Sequence, residues 1–207
     1  ICTHPHSDHA GSLPYVLDAI GADQFLMPEL TAQNIPTTRT YERLMQVLNA
    51  SDAEVIHPQP GETYTYGNIV LNILSPVFTE DDEMNNMSIV FRVVFGSRSF
   101  LFTGDAEEPV EEALLANGAL LRSDVIKVPH HGSKTSSSEA FVLAVSPRWA
   151  VVPCGDGGKN HPNEKIVERW ESVGAKVLRT DWDGTITMVT DGENLSVKSE
   201  RSGVDAA

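Results

Sequence analysis

Two periods of apolar and polar positions alternate along this chain. Tyr41, Leu44, Met45 and Leu48 recur at helical spacing, which predicts a helix opening near Thr38, and Gly11 to Ala22 reads as a shorter helix before it. A loop holding Pro28 and Pro36 separates the two. Ala53 to His57 reads as a strand, and Tyr64 to Tyr66 and Ile69 to Leu74 read as a pair turned by Gly67-Asn68. Ser88 to Phe95 and Ser99 to Thr103 flank Gly96-Ser97 and predict a hairpin, with the acidic stretch Glu80 to Glu83 before it as a solvated loop.

Beyond the hairpin, short apolar strands alternate with amphipathic helices. Glu107 to Asn117 has Pro109 near its start and Gly118 just past its end, the asymmetry of a helix. Val125 to Val128 is a buried strand, Ser136-x-x-Glu139 predicts a capping box for a helix to Val145, and Trp149 to Val152 is the next strand. Ile166, Val167, Trp170 and Val173 mark a helix ended by Gly174. Lys176 to Leu178, Gly184 to Thr190 and Leu195 to Lys198 follow as strands, the last two turned by Asp191-Gly192. The total, roughly eight or nine strands and five helices, predicts an α/β (α+β) arrangement of two sheets with helices outside.

Composition narrows the class. At 207 residues, with 41% apolar and 21% charged, the chain can bury a core and reads as one domain, 1–207, without repeat or linker. No apolar run approaches the roughly 18 residues of a membrane span. Fifteen basic against twenty-nine acidic residues leave a net charge of −14, which argues against a broad basic face laid on phosphates. No run of Lys and Arg interleaved with aromatics forms a nucleic-acid track. A bound divalent metal, however, supplies the local positive charge that a phosphodiester needs. Cys2 and Cys154 form no disulfide framework, and Cys154 closes an apolar run as a small buried side chain.

Chemistry concentrates in three places. Between His4 and His9, three imidazoles and the carboxylate of Asp8 fall within six residues. Neutral imidazoles and carboxylates suit divalent Zn or Mn. His4-x-His6 can converge on one ion, while Asp8 and His9 point toward a second position. Phe100 to Asp105 is an apolar strand ending in a carboxylate, and Val125 to Ser133 is one ending in the pair His130-His131. Three strands delivering His or Asp at their carboxyl ends predict one composite site at the rim of a sandwich. His57, before Pro58, reads as a surface residue.

The first motif resembles the HxHxDH signature of the metallo-β-lactamase superfamily. Asn85-Asn-Met-Ser88, Thr103-Gly-Asp105, Pro129-His-His-Gly-Ser133, Asn160-His-Pro162 and Thr180-Asp-Trp-Asp-Gly184 resemble, in order, the ComEC/Rec2-like branch. That branch forms the carboxy-terminal domain of a competence DNA-uptake protein and includes stand-alone secreted hydrolases. The resemblance implies an αββα sandwich whose first strands and glycine-rich turn precede the motif and lie outside this sequence. It implies that His4 and His6 bind one metal, Asp8 and His9 the other, that Asp105 bridges them, and that His131 is a further ligand while His130 meets the substrate. The family's histidine between the first cluster and Gly-Asp has no counterpart here; Asn85 and Asn86 stand in its place, so either one or two divalent ions are expected.

The implied mechanism is hydrolysis by a metal-activated hydroxide that Asp8 or Asp105 orients, with His130 and His161 as groups that bind or protonate a phosphate oxygen. Lys127, Ser133 and Lys134 are candidates for a phosphate contact, and Thr180-Asp181 for a supporting role. The expected substrate is a phosphodiester, single-stranded DNA in the competence branch, met on the extracytoplasmic side by a domain that is part of, or associated with, a membrane protein. The other readings are a hydrolase of a cell-wall or choline-phosphate ester, and a non-catalytic binding module with a degenerate metal site.

Overall fold

The structure, a computed structural model, describes residues 1–76, 83–155 and 161–206. Ser7–Ala10 forms one helical turn (α1) and Leu13–Ile20 a second helix (α2). The helix predicted from Gly11 to Ala22 is α2, opened by Pro14 in its first turn, where the missing N–H costs no intrahelical bond; α1 lies before the predicted range. Gln24–Leu26 (β1) falls where the sequence predicts loop; it pairs in parallel with Glu54–Ile56 (β2), across Arg39–Ala50 (α3). Thr38 caps α3, its hydroxyl accepting from the Tyr41 N–H at 3.2 Å.

Thr63–Tyr66 (β3), Ile69–Ile73 (β4), Phe91–Phe95 (β5) and Arg98–Phe102 (β6) pair antiparallel in succession. Helix and strand then alternate: Glu108–Ala116 (α4), Val125–Lys127 (β7), Glu139–Val145 (α5), Trp149–Val152 (β8), Glu164–Ser172 (α6) and Lys176–Arg179 (β9). Strands β6 to β9 run parallel, so β3 to β9 form one seven-stranded mixed sheet in sequence order. The short helix Thr180–Asp183 (α7) leads into a three-stranded antiparallel sheet of Ile186–Thr190 (β10), Leu195–Ser199 (β11) and Asp205–Ala206 (β12).

Period-two alternation sorts the layers. On one face of the large sheet, Leu101, Ile126, Ala150 and Val152 pack with Val110 and Leu114 of α4, Phe141 and Val142 of α5, and Ile166 and Trp170 of α6. All three helices share that face because successive parallel crossovers have one hand. On the other face, Val125, Trp149 and Leu178 meet Leu195 and Val197 of β11, while Leu71, Ile73 and Phe91 meet Leu26 of β1. Phe25 and Met27 point the opposite way from Leu26 and join Leu17 of α2 and Leu44, Val47 and Leu48 of α3. The order is helices, large sheet, two small sheets, helices, which is the αββα sandwich. Beside β10 the large sheet stays open as an apolar cleft of about 340 Å³ bordered by Phe100, Phe102, Val151 and Met188.

Elements absent from the sequence reading, β1, β12, α1 and α7, span only two to four residues each, too few for a period to register. The predicted capping box is displaced as well. Ser138, not Ser136, caps α5, accepting from the Phe141 N–H at 3.4 Å. Ser136 instead donates to the carbonyls of Pro129 and Ser133, both at 3.1 Å, because left-handed Ser137 (φ 62) turns the chain between them. Of the acidic stretch, Glu80 to Asp82 lies outside the described residues, as does Asn160.

Candidate metal centre

Strands β6 to β9 present their carboxyl ends at one rim, the usual place for a ligand on a parallel sheet. Three residues beyond β6 stands Asp105, reached through Gly104 at φ +53. A Cβ on Gly104 would lie 2.7 Å from the Ser88 hydroxyl and 3.0 Å from the Thr3 Cβ, so a glycine lets the strand end pass this close to the first segment. Ser88 Oγ accepts from the Asp105 N–H at 3.0 Å. After β7, His130 and His131 both adopt left-handed backbone angles (φ 44 and 53), which non-glycine residues hold only where the surroundings impose it. The Ser136 bond to Pro129 and a 2.7 Å bond from His131 Nδ1 to the Pro153 carbonyl supply that constraint. Asp8 and His9 arrive on α1.

One ligand atom each from Asp8, His9, Asp105 and His131 lies within 4.8 Å of the others. His9 Nε2 is 3.1 Å from Asp105 Oδ1, and His131 Nε2 is 3.3 Å from Asp8 Oδ2, 3.5 Å from Asp105 Oδ2 and 3.3 Å from His9 Nε2. A carbonyl only accepts, so His131 Nδ1 must carry the proton. Nε2 then faces two carboxylates, so it either carries a second proton that it donates to them or turns its lone pair on a cation held between them. With Nδ1 anchored and Nε2 turned inward, this is the donor set of a divalent metal site, and the residues present fit one.

Beside this set, His4 Nε2 is 3.9 Å from Asp105 Oδ2 and 3.1 Å from His6 Nδ1. His4 is fully buried, with the hydroxyls of Thr3 and Ser88 each 3.3 Å from its Nδ1, whereas His6 is exposed. Burial, reinforced by His9, pulls the His4 pKa down to about 3, so its imidazole is neutral. Burial alone would raise Asp105, but hydrogen bonds from His131 and His9 and the nearby Lys127 ammonium outweigh it and hold the carboxyl well below the usual range. The Asp105 hydrogen bond raises His131 in turn, against the effect of burial.

Lys127 departs from its expected role. Its ammonium donates to Asp105 Oδ1 at 3.2 Å and to the Gly104 carbonyl, so it is committed to the carboxylate of the cluster. Ser133 is also buried, its hydroxyl 2.9 Å from that of Thr135, while Lys134 is exposed. His130 Nδ1 lies 2.9 Å from Glu107 Oε1, and its ring centroid is 5.4 Å from that of His161. His161, whose buried Nδ1 has no partner among the described residues, lines a cleft of about 460 Å³ with Asp8, His131, Cys154 and Thr180. Cys154 is half-buried there rather than sealed in the core, its thiol donating to Asp181 Oδ1 at 3.1 Å. Asp181 also pairs with Arg179 at 2.8 Å, and Thr180 bonds both N–H and carbonyl of Cys154, so this segment braces one cleft wall.

Glu107 is the residue that sequence reasoning missed. It sits at the start of α4, where a carboxylate reads as an ordinary first-turn charge, and its signal was only its place two residues after Asp105. Asn85 Nδ2 donates to Glu107 Oε1 at 3.4 Å and Asn86 Oδ1 accepts from the Glu107 N–H at 3.0 Å. His57 is exposed and binds the Met27 carbonyl at 3.0 Å, apart from the cluster.

Residues 1–156 match the family model described as metallo-beta-lactamase superfamily. The chain is 27% identical over 187 residues to ComE operon protein 3 of Bacillus subtilis, covering 90% of this chain and 24% of that protein. It is 37% identical over 127 residues to competence protein ComA of Neisseria gonorrhoeae (60% and 18%), and 27% identical over 205 residues to recombination protein 2 of Haemophilus influenzae (98% and 23%). The chain thus spans a quarter or less of these relatives. Among solved structures it is similar in fold to CmlA, a diiron beta-hydroxylase from Streptomyces venezuelae (TM-score 0.57, 18% identity, covering 86% of this chain and 42% of that one). It is likewise similar to Igni18, a metallo hydrolase from Ignicoccus hospitalis (TM-score 0.55, 16% identity, 94% and 76%). Among the described residues, no helix is long and apolar enough to cross a membrane.

Proposed function

Since the chain belongs to the metallo-β-lactamase superfamily, we propose that it is a metal-dependent hydrolase of phosphodiesters whose substrate is a nucleic acid strand. The observation that carries this reading is the convergence of Asp8, His9, Asp105 and His131 within 4.8 Å from segments far apart in sequence. These four would hold the principal divalent ion, for which Zn or Mn suits their donor atoms. His4 and His6, sharing Asp105, offer a second, weaker position, because Asn85 and Asn86 engage Glu107 rather than completing that set. When bound, such an ion lowers the pKa of a coordinated water to about 7 and polarises the phosphorus centre.

The residues around the ion do the rest. Asp8, exposed at the cleft mouth, orients the attacking oxygen. Glu107 accepts from His130 Nδ1–H and orients the ring, and doubly protonated His130 gives its Nε2 proton to the leaving oxygen, returning to the neutral Nδ1–H form. His161 binds a non-bridging phosphate oxygen. The names of two relatives, a competence protein and a recombination protein, support DNA as the strand and, for uptake, the outer face of the cell membrane as the place. A site that binds metal without turnover is the second reading, favoured by the asparagines that stand where a histidine would complete the second set.

Elemental analysis of the purified protein, with p-nitrophenol release from bis(p-nitrophenyl) phosphate in added Mn or Zn, separates the two. Bound metal and metal-dependent turnover that fall by at least about 100-fold in Asp105→Ala are expected. Turnover insensitive to both chelator and Asp105→Ala rules out the hydrolytic reading at this site, and bound metal with no turnover selects the binding module.

A further inference from the structure

At the opposite end of the large sheet, register brings together cations that the sequence keeps apart. Phe100, Val125, Trp149 and Lys176 stand level across β6, β7, β8 and β9. Lys176 itself, and Arg98, Arg122 and Arg148 just before that level, give each of the four adjacent strands a cation at its amino end. Strands lie about 4.8 Å apart, so the row spans roughly 15 Å, and it lies roughly 15 Å from the histidine rim. Arg92 of β5 joins it, its Nε donating to the Arg122 carbonyl at 2.9 Å and the Ser123 hydroxyl at 3.2 Å.

Few carboxylates stand near to neutralise these arginines. Among the described residues that line the cleft Asp124 is the one carboxylate, and it is satisfied by the Ser99 N–H and hydroxyl at 2.8 and 3.0 Å and by Arg98 at 3.5 Å. Arg92, Arg122 and Arg148 form no ion pair among the described residues, and with the hydroxyls of Ser97, Ser123 and Ser146 they line a cavity of about 380 Å³. In a chain of net charge −14, three unpaired guanidiniums around one concavity are an anion site. Leu120 is the apolar side chain at its edge, so the surface lacks the inserted apolar face of a membrane-binding patch.

We propose that the Arg92, Arg122 and Arg148 cleft, extended by the row to Lys176, binds the phosphate backbone of a single strand of nucleic acid, separately from the hydrolytic rim. Among the described residues no aromatic lines the cleft, so the contact is with phosphates and is indifferent to base sequence. The choice of a strand as ligand rests on the reading of the substrate given above; the phosphate chemistry of the cleft does not.

The test uses the whole chain in chelator, so that nothing is cleaved, and the anisotropy of a labelled oligothymidylate. Expected is binding whose log K falls with log salt at a slope of roughly −2 to −3 for three or four phosphates, shallower by about 0.7 for each arginine removed. The paired variant Arg122→Glu with Arg148→Glu, both exposed and neither in an ion pair among the described residues, should weaken binding at least about tenfold while bis(p-nitrophenyl) phosphate turnover stays as in the parent; Arg148 lies over the Trp149 ring at 5.8 Å, so Arg122→Glu alone, expected to weaken binding in the same direction, controls for any loss of folding. Equal oligonucleotide affinity in parent and variant overturns the inference while leaving the hydrolase reading standing. Arginine-dependent binding without turnover of any diester upholds it and removes that reading. Capture by phosphatidylglycerol vesicles with no oligonucleotide binding overturns it in favour of a lipid surface.

Discussion

Replacing Lys127 by Met separates two accounts of that residue. Spacing on the chain offered it to a substrate phosphate, which makes the substitution a matter of KM. The structure instead places its ammonium 3.2 Å from Asp105 Oδ1, with side chains only 16% and 3% exposed, so screening by solvent is slight. At that distance an effective dielectric of 20 gives an attraction of about 5 kcal/mol. Asp105 keeps its bonds from His9 and His131, and losing the ammonium also removes its desolvation penalty, so a net loss of about 3 kcal/mol is expected for the metal-free protein. In a chain of this size that lowers Tm by roughly 6–12 °C. Metal reverses the comparison, because a divalent ion takes over as counter-charge to Asp105 and no longer meets the repulsion of an ammonium. Urea unfolding in chelator and in saturating Mn should therefore show a gap between parent and variant that closes to about 1 kcal/mol or less in metal, with tighter metal binding by the variant. Unchanged stability without metal, together with a raised KM for a phosphodiester, refutes this reasoning and returns Lys127 to the substrate.

Three further expectations follow from the same geometry. Glu111 is fully buried and accepts from the N–H groups of Ser137 and Ser138, so Glu111→Ala, which orphans both, should cost about 2–4 kcal/mol in denaturant unfolding; a loss under about 1 kcal/mol contradicts it. Gly104→Ala forces a Cβ against Ser88 and Thr3 at a left-handed φ, and should lower both thermal stability and metal content measured on the purified protein, an outcome that retention of full metal content disproves. Glu107→Gln should reduce kcat about tenfold or more with metal content unchanged, since it orients His130 without joining the cluster; loss of metal in this variant places Glu107 among the ligands instead.

The amino-acid pattern by itself defined the hairpins, the helix–strand alternation and the residues that gather at the rim. Those are legible because their causes are local: period, turn chemistry, and polar groups ending apolar strands, with His4 to His9 packing their ligands into six residues. Hidden from it were elements of two to four residues such as β1 and α7, the true cap Ser138, and the commitment of Lys127 and Glu107, since a contact between residues 20 or more apart depends on where sheet order brings two strand ends together. The basic row is the clearest case. Residues 92, 98, 122, 148 and 176 belong to five segments, each with an unremarkable charge, in a chain whose sum is −14. A linear reading sums charge along the chain and finds no track; parallel register sums it across strands about 4.8 Å apart, and only there do the cations stand side by side.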